Sequence, residues 1–250
     1  MLSKNDIKNI KSLEQKKFRD EKKLFVAEGH KLVDELLGSF TCVLLAATQE
    51  WISSHRNISA KRIETITPDE LKRASLLRTP QDVLAVFRIP EDEKAMLSAA
   101  SQNLVLALDD IQDPGNLGTI IRIADWFGIK DVFCSKATAD IFNPKSVQAT
   151  MGALSRVSVH YTDLKKSLNT LTEGIPVYGT FLDGDIIYDA TLSKNGVIIM
   201  GNEGNGISDD IRQNITSKLY IPNWPAGAAT SESLNVAIAT AIVCSEFRRR

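Results

Sequence analysis

The chain has 250 residues, 43% hydrophobic and 24% charged, with a formal net charge of −1. That balance belongs to an ordinary globular protein able to bury a core without disulfides or structural metal, and it does not by itself announce a nucleic-acid binder. Apolar stretches such as Cys42–Ala47 and Val197–Met200 are too short to cross a bilayer. The opening residues carry Lys4, Asp6, Lys8 and Lys11 in place of a signal sequence's apolar core. Cys42, Cys134 and Cys244 are scattered away from His30, His55 and His160, so no metal-ligand spacing arises. The expectations are no membrane, no metal and a cytoplasmic location.

In chain order, the first part reads as a helix over about 4–20, a short strand at Leu24–Ala27, a helix over 29–38 and a strand at Thr41–Ala47. A helix containing Trp51, a strand at Arg62–Ile66, a helix at Pro68–Leu76 and a strand at 82–89 follow. Strands alternating with helices predict a small α/β module. Residues 1–23 hold eight Lys/Arg against four acids, and Lys61, Arg62, Lys72, Arg73 and Arg78 form a second basic cluster. Such runs serve either as solvated faces or as contacts for phosphates. The polar segment Pro90–Ser101 separates two apolar runs and marks a boundary, giving domains 1–92 and 102–250.

Beyond it the alternation is clearer. A strand at 103–109 leads into a helix over Asn116–Phe127, then a strand at 131–135, a helix over 144–153 and a strand at 156–161. Next come a helix over 163–172, strands at 175–181 and 196–200, a helix over 208–214, a strand at 218–221 and a last helix over 231–247. This pattern predicts a parallel sheet covered on both faces, whose ligands bind at loops leaving the carboxyl ends of strands.

Three such loops carry candidate chemistry. Asp113-Pro114-Gly115-Asn116 makes a turn, with Asn116 suited to cap the next helix. Arg122 lies off that helix's apolar stripe, either paired with Asp125 on the surface or free to bind a phosphate. Gly201-Asn202-Glu203-Gly204-Asn205-Gly206 follows a strand and precedes Ser208, a candidate cap. Its GxxGxG spacing is neither a dinucleotide fingerprint nor a P-loop. Glu203 there is a turn residue or a site carboxylate. The third loop runs from Ile221 to Asn235. Ser233 and Asn235 sit where helix caps sit, ahead of an Ala-rich, nearly uncharged helix expected to be closely packed, against the chain itself or another subunit.

Together DPGNLGTIIR (Asp113–Arg122), IMGNEGNGIS (Ile199–Ser208) and IP…SESLNVAIATAI (Ile221–Ile242) resemble, in order and separation, the three motifs of the SpoU (TrmH-like) branch of the SPOUT methyltransferases. The segment Phe18–Leu37 is similar to the ribosomal-protein-like substrate-binding domain often found ahead of that catalytic domain. The resemblance implies an α/β parallel sheet with a C-terminal trefoil knot, a homodimer, and S-adenosylmethionine held around Thr180, Met200, Gly201, Ile221 and Leu234. It implies a polar catalytic set of Asn116, Arg122, Glu203, Ser233 and Asn235 that methylates a ribose 2′-hydroxyl of structured RNA. Ribosomal RNA ranks ahead of transfer RNA, and a non-catalytic RNA-binding or ribosome-assembly factor on the same fold is the rival. The chain departs from the pattern at Asn223, where the family often has Met, and in a long loop bearing Trp224.

Overall fold

The computed structural model describes residues 1–91, 94–225, 231 and 233–249. The chain divides into two compact units: Met1–Glu91 with Asp140–Ser155, and Asp92–Ala139 with Arg156–Arg250.

The first unit contains α1 (Lys4–Ser12), α2 (Lys16–Lys22), β1 (Leu24–Glu28), α3 (His30–Leu37), β2 (Cys42–Ala47), α4 (Gln49–Ser54), β3 (Ile63–Thr65), α5 (Pro68–Ala74) and β4 (Val83–Arg88). Its four-stranded sheet has the order β1-β4-β2-β3, antiparallel except for the β2–β3 pair. The single helix expected over 4–20 is broken in two. Ser3 and Asp6 form a capping box that starts α1, and buried Leu13 ends it. The break frees the carbonyls of Leu13 and Glu14, and the Arg19 guanidinium donates to both at 2.7 Å. Arg19 is only 1% exposed, so its charge needs a counter-ion. Asp140 supplies it, accepting from Nε at 2.9 Å and Nη2 at 2.6 Å. Arg19 is therefore a structural residue and leaves the set of basic side chains open to a polyanion.

Asp140 belongs to a segment that the sequence reading placed in the second part. Residues 140–155, with α8 (Pro144–Thr150) and a 3₁₀ turn at Ala153–Ser155, instead complete the first unit. Phe142 lies 4.8 Å from Phe25, ring to ring. Gly152, at φ +94°, lets the backbone approach Glu35 so closely that a Cβ would lie 2.7 Å from that side chain's Cβ. The helix forms as the local β-α-β pattern predicts, between parallel-paired strands at 131–135 and 158–162, and the segment's contacts with Phe25 and Glu35 place it in the first unit.

The second unit contains α6 (Met96–Ala100), β5 (Leu104–Leu108), α7 (Pro114–Trp126), β6 (Asp131–Ser135), β7 (Ser158–Thr162), α9 (Leu164–Asn169), β8 (Val177–Ile186), β9 (Gly196–Met200), α10 (Asp209–Arg212), β10 (Ser217–Tyr220) and α11 (Val236–Arg249). The α6 helix was missed within the polar boundary segment; Met96, Ala99 and Ala100 bury its apolar side. The six-stranded sheet is parallel throughout, in the order β10-β8-β9-β5-β6-β7. Strands β5 and β9 are entirely buried, the continuous apolar pattern of a parallel sheet covered on both sides. From β5 the chain builds outward through β6 and β7, then returns to place β9 on the other side of β5. The β5–β9 edge is thus the point where strand order reverses, the usual ligand position in open α/β sheets. The thiols of Cys42, Cys134 and Cys244 are buried, and burial pushes Cys42 up to about 11.

The buried ion pair gives a direct test of the first unit. Replacing Arg19 by alanine leaves Asp140 and two carbonyls without their donor. Urea unfolding of Arg19→Ala is expected to show a loss of about 3–5 kcal/mol, the usual cost of removing one partner from a buried pair.

Candidate functional site

The site begins with two strand ends. Leu108 of β5 pairs with Met200 of β9, so the loops after them leave side by side. The next residue, Asp109, donates its amide to the Met200 carbonyl at 2.9 Å, and its buried carboxylate accepts the Ser208 amide at 2.8 Å. Asp110 has a left-handed backbone, φ 57°, which aspartate tolerates better than most residues. Its carbonyl accepts Asn202 Nδ2 at 2.8 Å. Asn202 also takes the amides of Gly204 and Asn205 on its Oδ1 and exchanges both backbone bonds with Gly206. The glycine-rich loop is therefore a closed hairpin, and a Cβ on Gly201 would lie 2.3 Å from the Gly206 carbonyl carbon. Sequence reasoning missed Asp109, Asp110 and Asn202; the signal for the first two was a carboxylate pair ending a wholly apolar strand.

Helix α7 starts earlier than expected. Asp113, not Asn116, is its N-cap: Oδ1 accepts the Asn116 amide at 2.8 Å, with Pro114 in the first turn. The Asn116 side chain is thereby free for longer-range bonds. Its Nδ2 donates to Glu203 Oε1 at 2.7 Å, and its Oδ1 accepts Asn235 Nδ2 at 3.1 Å. Asn235 Oδ1 accepts the amides of Ala237 and Ile238 at 3.0 and 3.3 Å. Asn235 is therefore both a helix cap and a member of the site. Its capping explains why α11 begins at Val236 rather than at 231. An ionised carboxylate only accepts hydrogen bonds, so Glu203 fixes which way Asn116 points, and Asn116 in turn fixes Asn235.

The candidate cofactor residues Thr180, Met200, Gly201, Ile221 and Leu234 line one cleft of about 570 Å³, together with Glu203 and Ser233. That volume falls within the roughly 300–1,000 Å³ usual for small-molecule sites. Ile207, Leu219 and Val236 add apolar wall, and the backbone of 201–206 supplies polar groups. Ser208 starts α10 without a side-chain cap bond. Tyr220 donates its hydroxyl to Asn223 Oδ1 at 3.1 Å, so the unexpected asparagine is held against the end of β10. Residues 226–230 and Glu232, within the third motif, lie outside the described residues.

Arg122 is not brought into the cleft lining. It is exposed, more than two turns into α7 because the helix starts at Pro114, and it makes no hydrogen bond or ion pair with another described residue. The surface pair with Asp125 does not form, since Arg156 holds that carboxylate with Nε at 2.9 Å and Nη2 at 2.9 Å. Asn116 meets Asn235 at one end of α7 and α11, and Arg248 donates to the Phe127 carbonyl at the other. The two helices therefore run parallel. Among their exposed residues are Thr119, Arg122, Trp126 (84% exposed) and Ile238 (55%).

Residues 103–245 match a family model described as the SpoU rRNA Methylase family, and residues 4–85 match one described as an MRM3-like substrate binding domain. A relative from Bacillus subtilis, named 23S rRNA (guanosine(2553)-2′-O)-methyltransferase RlmP, is 33% identical over 97% of this chain and 95% of its own. A solved structure of a TrmH-family protein from Porphyromonas gingivalis is 43% identical, covering 100% and 99% of the two chains at a TM-score of 0.91. The structure of an AdoMet-bound rRNA methyltransferase from Sinorhizobium meliloti is 30% identical, covering 100% and 96% at a TM-score of 0.84.

Proposed function

From the premise that the chain belongs to the SpoU rRNA methylase family, we propose that it transfers a methyl group from S-adenosylmethionine to a ribose 2′-hydroxyl of ribosomal RNA. The observation that carries this reading is the meeting of three loops distant in sequence: Glu203, Asn116 and Asn235 form one hydrogen-bonded chain at the edge of the apolar cleft. The cleft suits an adenosine, with hydrophobic walls for the base and backbone groups of 200–206 at its edge. Thr180, Met200, Gly201, Ile221 and Leu234 would hold it there. When bound, S-adenosylmethionine supplies the electrophilic methyl group.

The chain's own residues do the rest by positioning and electrostatics. A ribose hydroxyl is a poor nucleophile until its proton leaves. Arg122, whose guanidinium no carboxylate of the described residues occupies and which does not line its own chain's cleft, would reach the site from the partner protomer, orient the RNA phosphate beside the target and stabilise the 2′-oxygen as its proton passes to solvent. Glu203, Asn116 and Asn235 hold the ribose, and Ser233 faces the same cleft. The exposed lysines of 1–23 and the cluster around Lys72, Arg73 and Arg78 give the first unit its hold on RNA.

The same reading includes a cytoplasmic location, a C-terminal trefoil knot and a homodimer. No helix among the described residues is long and apolar enough to cross a membrane. Support for the dimer is the parallel α7–α11 pair, which leaves the large apolar side chains of Trp126 and Ile238 exposed to water. A dimer through this face would cover both and bring Arg122 to the interface.

Two measurements test the proposal. Purified wild-type protein should transfer label from S-adenosylmethionine to ribosomal RNA, and a folded Arg122→Ala variant should lose at least about a hundredfold in turnover, the scale of removing one charge-stabilising group. Label entering transfer RNA alone, or none entering any RNA, would favour the tRNA enzyme or the non-catalytic assembly factor respectively. Light scattering should find a dimer, and Trp126→Glu should shift it to monomer. A monomeric wild type would remove the dimer from the account.

A further inference from the structure

Resting on the reading of the cleft as an S-adenosylmethionine site, we propose that Arg212 recognises the carboxylate of the donor's amino-acid tail. Arg212 closes α10 and lines the same cleft as Glu203, beside Phe181, Leu182 and Asp183. Its guanidinium carbon lies 4.7 Å from the centre of the Phe181 ring, a cation–π arrangement that parks the planar group on the cleft wall. The nearest acid does not consume it. Asp183 is taken by Lys218, whose Nζ donates to Oδ2 at 2.9 Å, and Arg212 reaches the same oxygen only at 3.4 Å. The Lys218 bond also lowers the pKa of Asp183, so the aspartate stays ionised and engaged.

Two cations thus share one carboxylate, leaving an excess positive charge and a largely unused donor fork on this wall. Glu203 contributes a negative charge elsewhere on the lining. A cleft with this polarity fits a ligand that is itself polar in charge. S-adenosylmethionine carries a sulfonium and an ammonium, which suit the acidic side, and a carboxylate, which suits a planar guanidinium presenting two parallel donors. Lys218 serves as a positioning residue, occupying Asp183 Oδ2 at 2.9 Å and so weakening that oxygen's 3.4 Å hold on Arg212. Nothing in the sequence pointed to Arg212, because it stands outside all three motifs.

The test compares binding of two ligands by calorimetry: S-adenosylmethionine, and decarboxylated S-adenosylmethionine, which keeps the sulfonium and amine but lacks the carboxylate. Wild type should bind the first about tenfold more tightly, the scale of one charge-assisted hydrogen bond. Arg212→Ala should lose about tenfold for S-adenosylmethionine and nothing for the decarboxylated ligand, erasing the preference, with Arg212→Lys in between. Lys218→Ala, which frees Asp183 to capture Arg212, should reduce the preference several-fold while leaving affinity for the decarboxylated ligand unchanged. Equal losses for both ligands in Arg212→Ala, or a preference that survives it, would overturn the assignment. If wild type binds neither ligand, the reading of the cleft itself fails.

Discussion

The adjacency of two strand ends governs everything else at the site. Because Leu108 pairs with Met200, the loop after β5 and the loop after β9 leave the sheet as neighbours. Each is then tied to the other by groups at its base: the Asp109 carboxylate to the Ser208 amide, and the Asp110 carbonyl to Asn202. With both loops fixed, Glu203 meets Asn116, and Asn116 meets the cap of α11. A shift of one residue in the β5–β9 register would turn the strand faces over and part Glu203 from Asn116. That register is held at the strand ends by the Asp109 amide on the Met200 carbonyl and the Asp109 carboxylate on the Ser208 amide.

Polar groups in the relay have one consistent direction. The carboxylate of Glu203 is an acceptor, so each amide behind it has a single orientation, and the last carbonyl oxygen caps a helix. Such a chain can bind a hydroxyl without rearranging. The helix it caps, α11, packs beside α7, which displays Arg122 on its solvent face. One short network therefore joins the cleft wall, the start of a packed helix and the helix that carries the arginine.

Much of this was legible in the sequence because it rests on local signals. Apolar runs bounded by Pro and Gly located the strands, and the two Gly-rich or Pro-rich turns and the polar start of α11 located the loops. What the sequence hid depends on partners far along the chain. Asn116 resembled a cap until Asp113 was seen to hold that place. Arg19 resembled a solvated lysine-rich face, yet it is buried because α1 breaks and Asp140 reaches it from 121 residues away. The segment 140–155 forms the helix its pattern predicts, and only its packing on Phe25 assigns it to the first unit. The side chains of Asp109 and Asn202 bind backbone groups of the neighbouring turns, and only the carboxylate pair ending β5 signalled the site.

The most direct test of the relay is a double-mutant cycle on turnover, combining Glu203→Ala and Asn116→Ala in folded protein at saturating S-adenosylmethionine and RNA. If the two side chains act as one unit, the double variant will be no slower than the slower single variant. Losses that multiply, with the double variant reduced by the product of the two single effects, would mean that Glu203 and Asn116 act separately and that their hydrogen bond does not organise the site.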